Sequence, residues 1–138
     1  MLQPYRLFPR LTTSIDCVKK TYSMNSLAIG ILMTTSPEHQ NTYTVARLAS
    51  ALLSAGHAVE LFLMDDGIYN LVSVPKAGSA GSLLQTVQNE GMKIVLCTQS
   101  AENRGVSEKD CLAGVAWRSQ HELSRIVAGS DRFLTFGS

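Results

Sequence analysis

The stretch Met92-Lys93-Ile94-Val95-Leu96-Cys97-Thr98-Gln99-Ser100-Ala101-Glu102-Asn103-Arg104-Gly105 reads as a buried strand that stops on a cysteine. A polar turn carrying an Arg-Gly pair follows it. A short, continuously apolar run bounded by turn residues is what a strand covered on both faces requires. Just upstream, Ser82 to Glu90 has helical spacing, with Leu83, Leu84 and Val87 on one side and Gly91 as its stop. A helix feeding a fully buried strand is one half of a βαβ unit, so this stretch points to a parallel sheet.

The same alternation continues outward in both directions. Leu27 to Met33 and Ala58 to Met64 are two further apolar runs. Between them Val45, Leu48, Ala49, Leu52 and Leu53 recur at helical spacing before Gly56. Ser36-Pro37-Glu38 resembles a helix start with proline at its first position. Asp65-Asp66-Gly67 closes the second strand, Ile68 to Val72 has room for one helical turn, and Pro75 to Gly81 is expected to be a mobile loop. Downstream, Ser107 is placed to cap a short helix through Leu112, and Val115 to Trp117 is a candidate short strand. Ser119-Gln120-His121-Glu122 has the form of a capping box. The helix behind it carries Leu123, Ile126 and Val127 on one face and ends at Gly129, before a terminal strand from Arg132 to Phe136. The expectation is an α/β three-layer sandwich with a mainly parallel sheet of about five strands.

Composition agrees with one globular domain. The 138 residues are 45% hydrophobic and 17% charged, enough to bury a core. The first 23 residues differ: Arg6, Arg10, Lys19 and Lys20 face Asp16 alone among scattered serines and threonines. They read as a basic tail outside the fold, an upstream start preceding Met24, or a transit-type segment. Residues 24–138 form the domain. No apolar run nears the roughly 18 residues of a membrane span. A net charge of +1 with no Lys/Arg cluster gives no electrostatic footprint for direct nucleic-acid binding. Three cysteines do not make a disulfide scaffold, and a reducing cytoplasm is the expected setting.

Chemistry is expected beyond the carboxyl ends of the strands. Cys97 stands there. A thiolate is the reactive form of cysteine, and the start of the following helix, Arg104 and the backbone near Gly105 are candidates to favour it. Such a thiol can hold a sulfane sulfur as a persulfide; the bland alternative is a small hydrophobe completing a buried strand. Thr34, Thr35 and His39 follow the first strand, and Asp65 and Asp66 the second, so all five are candidates for the same rim. The hydroxyls of Thr34 to Ser36 offer a weak phosphate-binding reading. The paired aspartates have no companion His spacing for a metal. Cys111 is either a resolving thiol for Cys97 or a packed bystander.

Cys97 followed, after six intervening residues, by Arg104-Gly105 resembles the DsrE/DsrF/TusD-like family of small sulfur-relay proteins. So do Ala55-Gly56-His57, Asp66-Gly67-Ile68-Tyr69-Asn70 and Ser130-Asp131-Arg132-Phe133-Leu134-Thr135-Phe136, in the same order from about Leu27 to Phe136. The resemblance implies a DsrE-like fold, a persulfide on Cys97, and no organic cofactor or metal. It also implies protein sulfur donors and acceptors, and homo- or hetero-oligomers, trimeric or hexameric. Both a tRNA-thiolation and a sulfur-oxidation pathway fit. Two other functions stand beside the carrier: an interaction subunit of a DsrE-like oligomer with an idle cysteine, and a nucleotide or flavin binder using the rim at Thr34 to Ser36.

Overall fold

The computed structural model describes residues 25–72 and 77–138. Strand β1 (Ala28–Met33) leads through helix α1 (Asn41–Ser54) to β2 (Ala58–Leu63). A 3-10 helix, Asp65–Leu71, then precedes α2 (Ala80–Asn89) and β3 (Lys93–Cys97). Helix α3 (Thr98–Asn103) follows directly, then a short 3-10 turn at Glu108–Asp110, β4 (Ala116–Arg118), α4 (Gln120–Gly129) and β5 (Arg132–Phe136). The five strands form one parallel sheet in the order β4-β3-β2-β1-β5.

That order has a physical consequence. The chain steps outward from β1 to β4, then returns across the sheet to place β5 beside β1. Right-handed crossovers put helices from opposite step directions on opposite faces. Accordingly Ile29, Ile31 and Met33 of β1 pack with Val45, Ala46 and Ala49 of α1 and Leu84 and Val87 of α2. The other face carries Phe62, Val95 and Cys97 against Ile126 of α4. Helix α4 lies so near β1 that a Cβ on Gly30 would stand 2.8 Å from Ile126 Cγ2. The expected three layers and five strands are present.

The differences lie at the ends of elements. The Ser36-Pro37-Glu38 segment is a turn, with His39 N–H donating to the Ser36 carbonyl at 3.1 Å, and α1 starts only at Asn41. Proline suits the first turn of a helix, but it suits a turn as well. Ser119 occupies the N-cap of α4 without a side-chain capping bond. Glu122 instead takes a 2.6 Å bond from Arg125 Nε. The capping box falls two elements earlier, at the 3-10 turn, where Asp110 Oδ2 accepts from Ser107 N at 3.2 Å. Ser79, three residues ahead of the expected start, caps α2 by accepting from Ser82 N at 3.2 Å. The basic tail with Cys17, and the residues from Ser73 to Lys76, of which Pro75 and Lys76 begin the expected loop, lie outside the described residues.

Candidate functional site

Cys97 is the last residue of β3, and the pleat decides where it points. Alternate residues of a strand face opposite sides, so Ile94 and Leu96 join the α1/α2 core while Val95 and Cys97 join Phe62 and Ile126 beneath α4. The cysteine has 0% of its surface exposed. It is not in a disulfide and sits at the N-cap of α3.

Beside it opens a cleft of about 560 Å³. Thr98 and Gln99, the two residues after Cys97, form one wall; Ser119, Gln120, His121, Leu123 and Ser124 of the α4 start form the other. The register explains the meeting, because Cys97 is paired with Arg118 at the end of β4. The residues after β4 therefore begin at the rim where β3 ends. Among the described residues, hydroxyls, amides and one imidazole line the cleft, with Leu123 the sole aliphatic residue and no carboxylate. Leu123 also packs against the apolar cluster that contains Cys97. Sequence reasoning passed over these α4 residues and assigned His121 to a capping box. The one signal pointing to them was the short strand at Val115 to Trp117, whose parallel pairing with β3 would bring the next residues to the cysteine.

Arg104 and Gly105 stand at the far end of α3, roughly 10 Å of helical rise from Cys97. Arg104 donates from Nε and Nη2 to Asp66 Oδ1 at 3.1 and 2.9 Å, and from Nη1 to the Ser100 carbonyl at 3.2 Å. Gly105, at φ +65°, ends the helix. Its N–H meets the Glu102 carbonyl at 3.1 Å and the Val106 N–H meets Ala101 at 2.9 Å. This is the Schellman pattern, and a side chain there would strain the backbone. Asp66 thus ties the end of β2 to α3, and Asp65 adds a second tie through its N–H to Ser100 Oγ at 3.0 Å.

The rim beyond β1 is likewise taken up by structure. Thr35 is 3% exposed; its Oγ1 accepts from Asn41 Nδ2 at 3.0 Å and its carbonyl from Asn70 Nδ2 at 2.8 Å. Asn70, fully enclosed, also donates to the Gly67 carbonyl at 2.9 Å and accepts from the Thr42 hydroxyl. Thr34 N–H bonds the Phe136 carbonyl at 3.0 Å, and His39 lies exposed in the turn before α1. Thr34, Thr35, His39, Asp65 and Asp66 thus share the strand-end edge with Cys97, but none of them lines the cleft beside it. Cys111 packs against the α1/α2 core and Cys97 belongs to the α4 side, so the sheet separates them. Burial, with a smaller contribution from Asp110, pushes the Cys111 thiol above its ordinary range. Among the described residues no group of three His, Cys, Asp or Glu side chains is arranged to hold a metal. No helix among them is long and apolar enough to cross a membrane.

The chain is similar to known proteins over nearly the whole described region. It is 30% identical over 115 residues to the uncharacterized protein MK0008 of Methanopyrus kandleri, covering 78% of this chain and 93% of that one. The uncharacterized protein MJ0989 of Methanocaldococcus jannaschii is 26% identical over 110 residues, covering 77% and 96%. The crystal structure of the ychN protein from E. coli superposes with a TM-score of 0.73 at 25% identity, over 80% of this chain and 99% of that one. A protein of unknown function from Methanobacterium thermoautotrophicum, MTH1491, shares the fold with a TM-score of 0.62 at 14% identity, over 77% and 96%. The DsrE/DsrF-like family model matches residues 28–136, which is all five strands and every helix between them. The chain belongs to the DsrE/DsrF-like family.

Proposed function

We propose that this protein is a sulfur-relay carrier that holds sulfane sulfur as a persulfide on Cys97 and passes it between partner proteins. The observation that carries the reading is a cysteine ending β3 directly beside an open, carboxylate-free cleft, in a chain of this family. On loading, the Cys97 thiolate attacks the outer sulfur of a donor persulfide; the donor's S–S bond breaks and its thiolate leaves. On delivery, an acceptor thiolate attacks the outer sulfur of the Cys97 persulfide and Cys97 leaves as thiolate. Atoms and electrons balance without a metal or an organic cofactor. Family membership supports protein donors and acceptors and an assembly of several chains, a trimer or hexamer. Tracing radiolabelled sulfur from a persulfide donor tests the reading. Label should appear on the wild-type protein and be absent from Cys97→Ser. Equal labelling of the serine variant would falsify it.

A second reading has its own support. Complete enclosure is the usual condition of a structural cysteine, and it favours an interaction subunit whose thiol is idle. Alkylation of the native protein separates the two. An idle Cys97 reacts only on unfolding, whereas a carrier thiol reacts under native conditions.

A further inference from the structure

We propose that Leu123 is the gate of Cys97, and that the cleft above it admits a low-molecular-weight alkyl persulfide as sulfur donor; the inference deepens the carrier reading and rests on it. A carrier thiol must be reached, yet Cys97 has no exposed surface. Its apolar surroundings are Phe62, Val95 and Ile126, with Leu32, Met64, Ala116, Leu123 and Phe133 packed on them. Of all these side chains, Leu123 alone also lines the cleft. It is half-buried on the first turn of α4, where rotation about side-chain bonds is fast and leaves the helix in place.

The dimensions of the cleft suit a small donor. About 560 Å³ lies within the range of small-molecule sites. The lining suits the polar body of a small persulfide: hydroxyls and amides from Thr98, Gln99, Ser119 and Gln120, with His121, and no carboxylate to repel an anion. Loading balances as Cys97–SH plus RSSH giving Cys97–SSH plus RSH. The sulfane sulfur moves to Cys97, the donor S–S bond breaks, and the thiol proton ends on RS⁻.

The test uses the full chain with Cys17→Ser and Cys111→Ser, so that Cys97 is its one thiol. Leu123→Ala, Leu123→Trp and Val127→Ala are added singly; Val127 is 46% exposed on the same helix and serves as control. Two rates are read by intact mass: alkylation by iodoacetamide and loading from glutathione persulfide. Melting curves establish that each variant is folded. Leu123→Ala should raise both rates about ten-fold, the effect expected when the half-buried leucyl contact broken on opening is removed. Leu123→Trp should lower both, and Val127→Ala should match the parent. Equal rates in all four proteins, or alkylation that follows global unfolding, overturn the gate. Gated alkylation with loading from a cysteine desulfurase but none from glutathione persulfide overturns the donor class. Gated alkylation with loading from neither donor leaves the gate standing and overturns the donor class together with the carrier reading beneath it.

Discussion

Leu96 and Cys97 are neighbours in the chain but belong to different hydrophobic clusters on opposite faces of the sheet. That alternation keeps the thiol away from Cys111 and commits it to the α4 side. Gly67 shows how little room some positions leave. A Cβ there would lie 2.4 Å from the Met33 carbonyl oxygen, a backbone atom that cannot swing aside. Gly67→Ala should therefore lower stability by about 2 kcal/mol, read as a shifted urea midpoint; an unshifted midpoint contradicts the packing described. Cys111 makes a prediction of its own. Its raised pKa keeps the thiol protonated where a free cysteine has begun to ionise. Native Cys111 should thus be alkylated more slowly than the unfolded chain at about pH 8, with the gap closing as pH rises. Equal rates there would contradict the assigned burial.

At the scale of elements, helix ends account for much of what resembles the family. Three helices stop on a Schellman pattern: α1 at Gly56, α2 at Gly91 and α3 at Gly105. In the segment Ala55-Gly56-His57, His57 Nδ1 also accepts from Leu27 N–H at 3.1 Å, pinning the start of β1. Asp131 does the same for β5, accepting from Ala28 N–H at 2.8 Å. Arg104 belongs with these structural residues, since its guanidinium is spent on Asp66 and Ser100. An exposed ion pair of this kind stabilises by less than about 1 kcal/mol, and Arg104→Ala should leave the rate of sulfur loading within about two-fold. A ten-fold fall would return Arg104 to the chemistry.

The Ser107–Asp110 box adds an acid sensitivity. Bonds from the Ser107 hydroxyl and N–H hold the Asp110 carboxyl below its usual range. A lowered carboxylate stabilises above the unfolded-state pKa and loses that contribution as pH falls through the lowered value. Protection factors of the amides around residues 107–111, taken against the unstructured rate at each pH, should fall below about pH 4 in the wild type. In Asp110→Asn they should already be low at neutral pH and change little with acid. Wild-type protection that does not respond to acid contradicts the box.

Across the whole molecule, the legibility of the sequence divides along the distance over which its signals act. The apolar runs of β1, β2 and β3 were readable to within a residue or two, because a buried parallel strand announces itself locally. The helix start at Ser36 was misplaced and the capping bonds at Ser119 are not formed, because Ser, Pro and Glu serve turns and helix starts alike and tertiary context decides between them. Cys97 was legible as the residue that ends β3. Its cover was not, because the cleft comes from β4 pairing with β3 and from α4 crossing back over the sheet, and no local pattern encodes either. Nor could spacing show that Thr35 and Asn70 are joined in a buried hydrogen-bonded knot rather than offered to a ligand.

The central claim is that Cys97 carries sulfur, and intact-mass spectrometry of the native protein tests it most directly. The protein is incubated with glutathione persulfide and, separately, with a cysteine desulfurase and cysteine, beside a Cys97→Ser control. A gain of one sulfur atom that reductant removes and the control lacks is the predicted result. No gain from either donor, each shown to load another carrier, or the same gain in Cys97→Ser, contradicts the account.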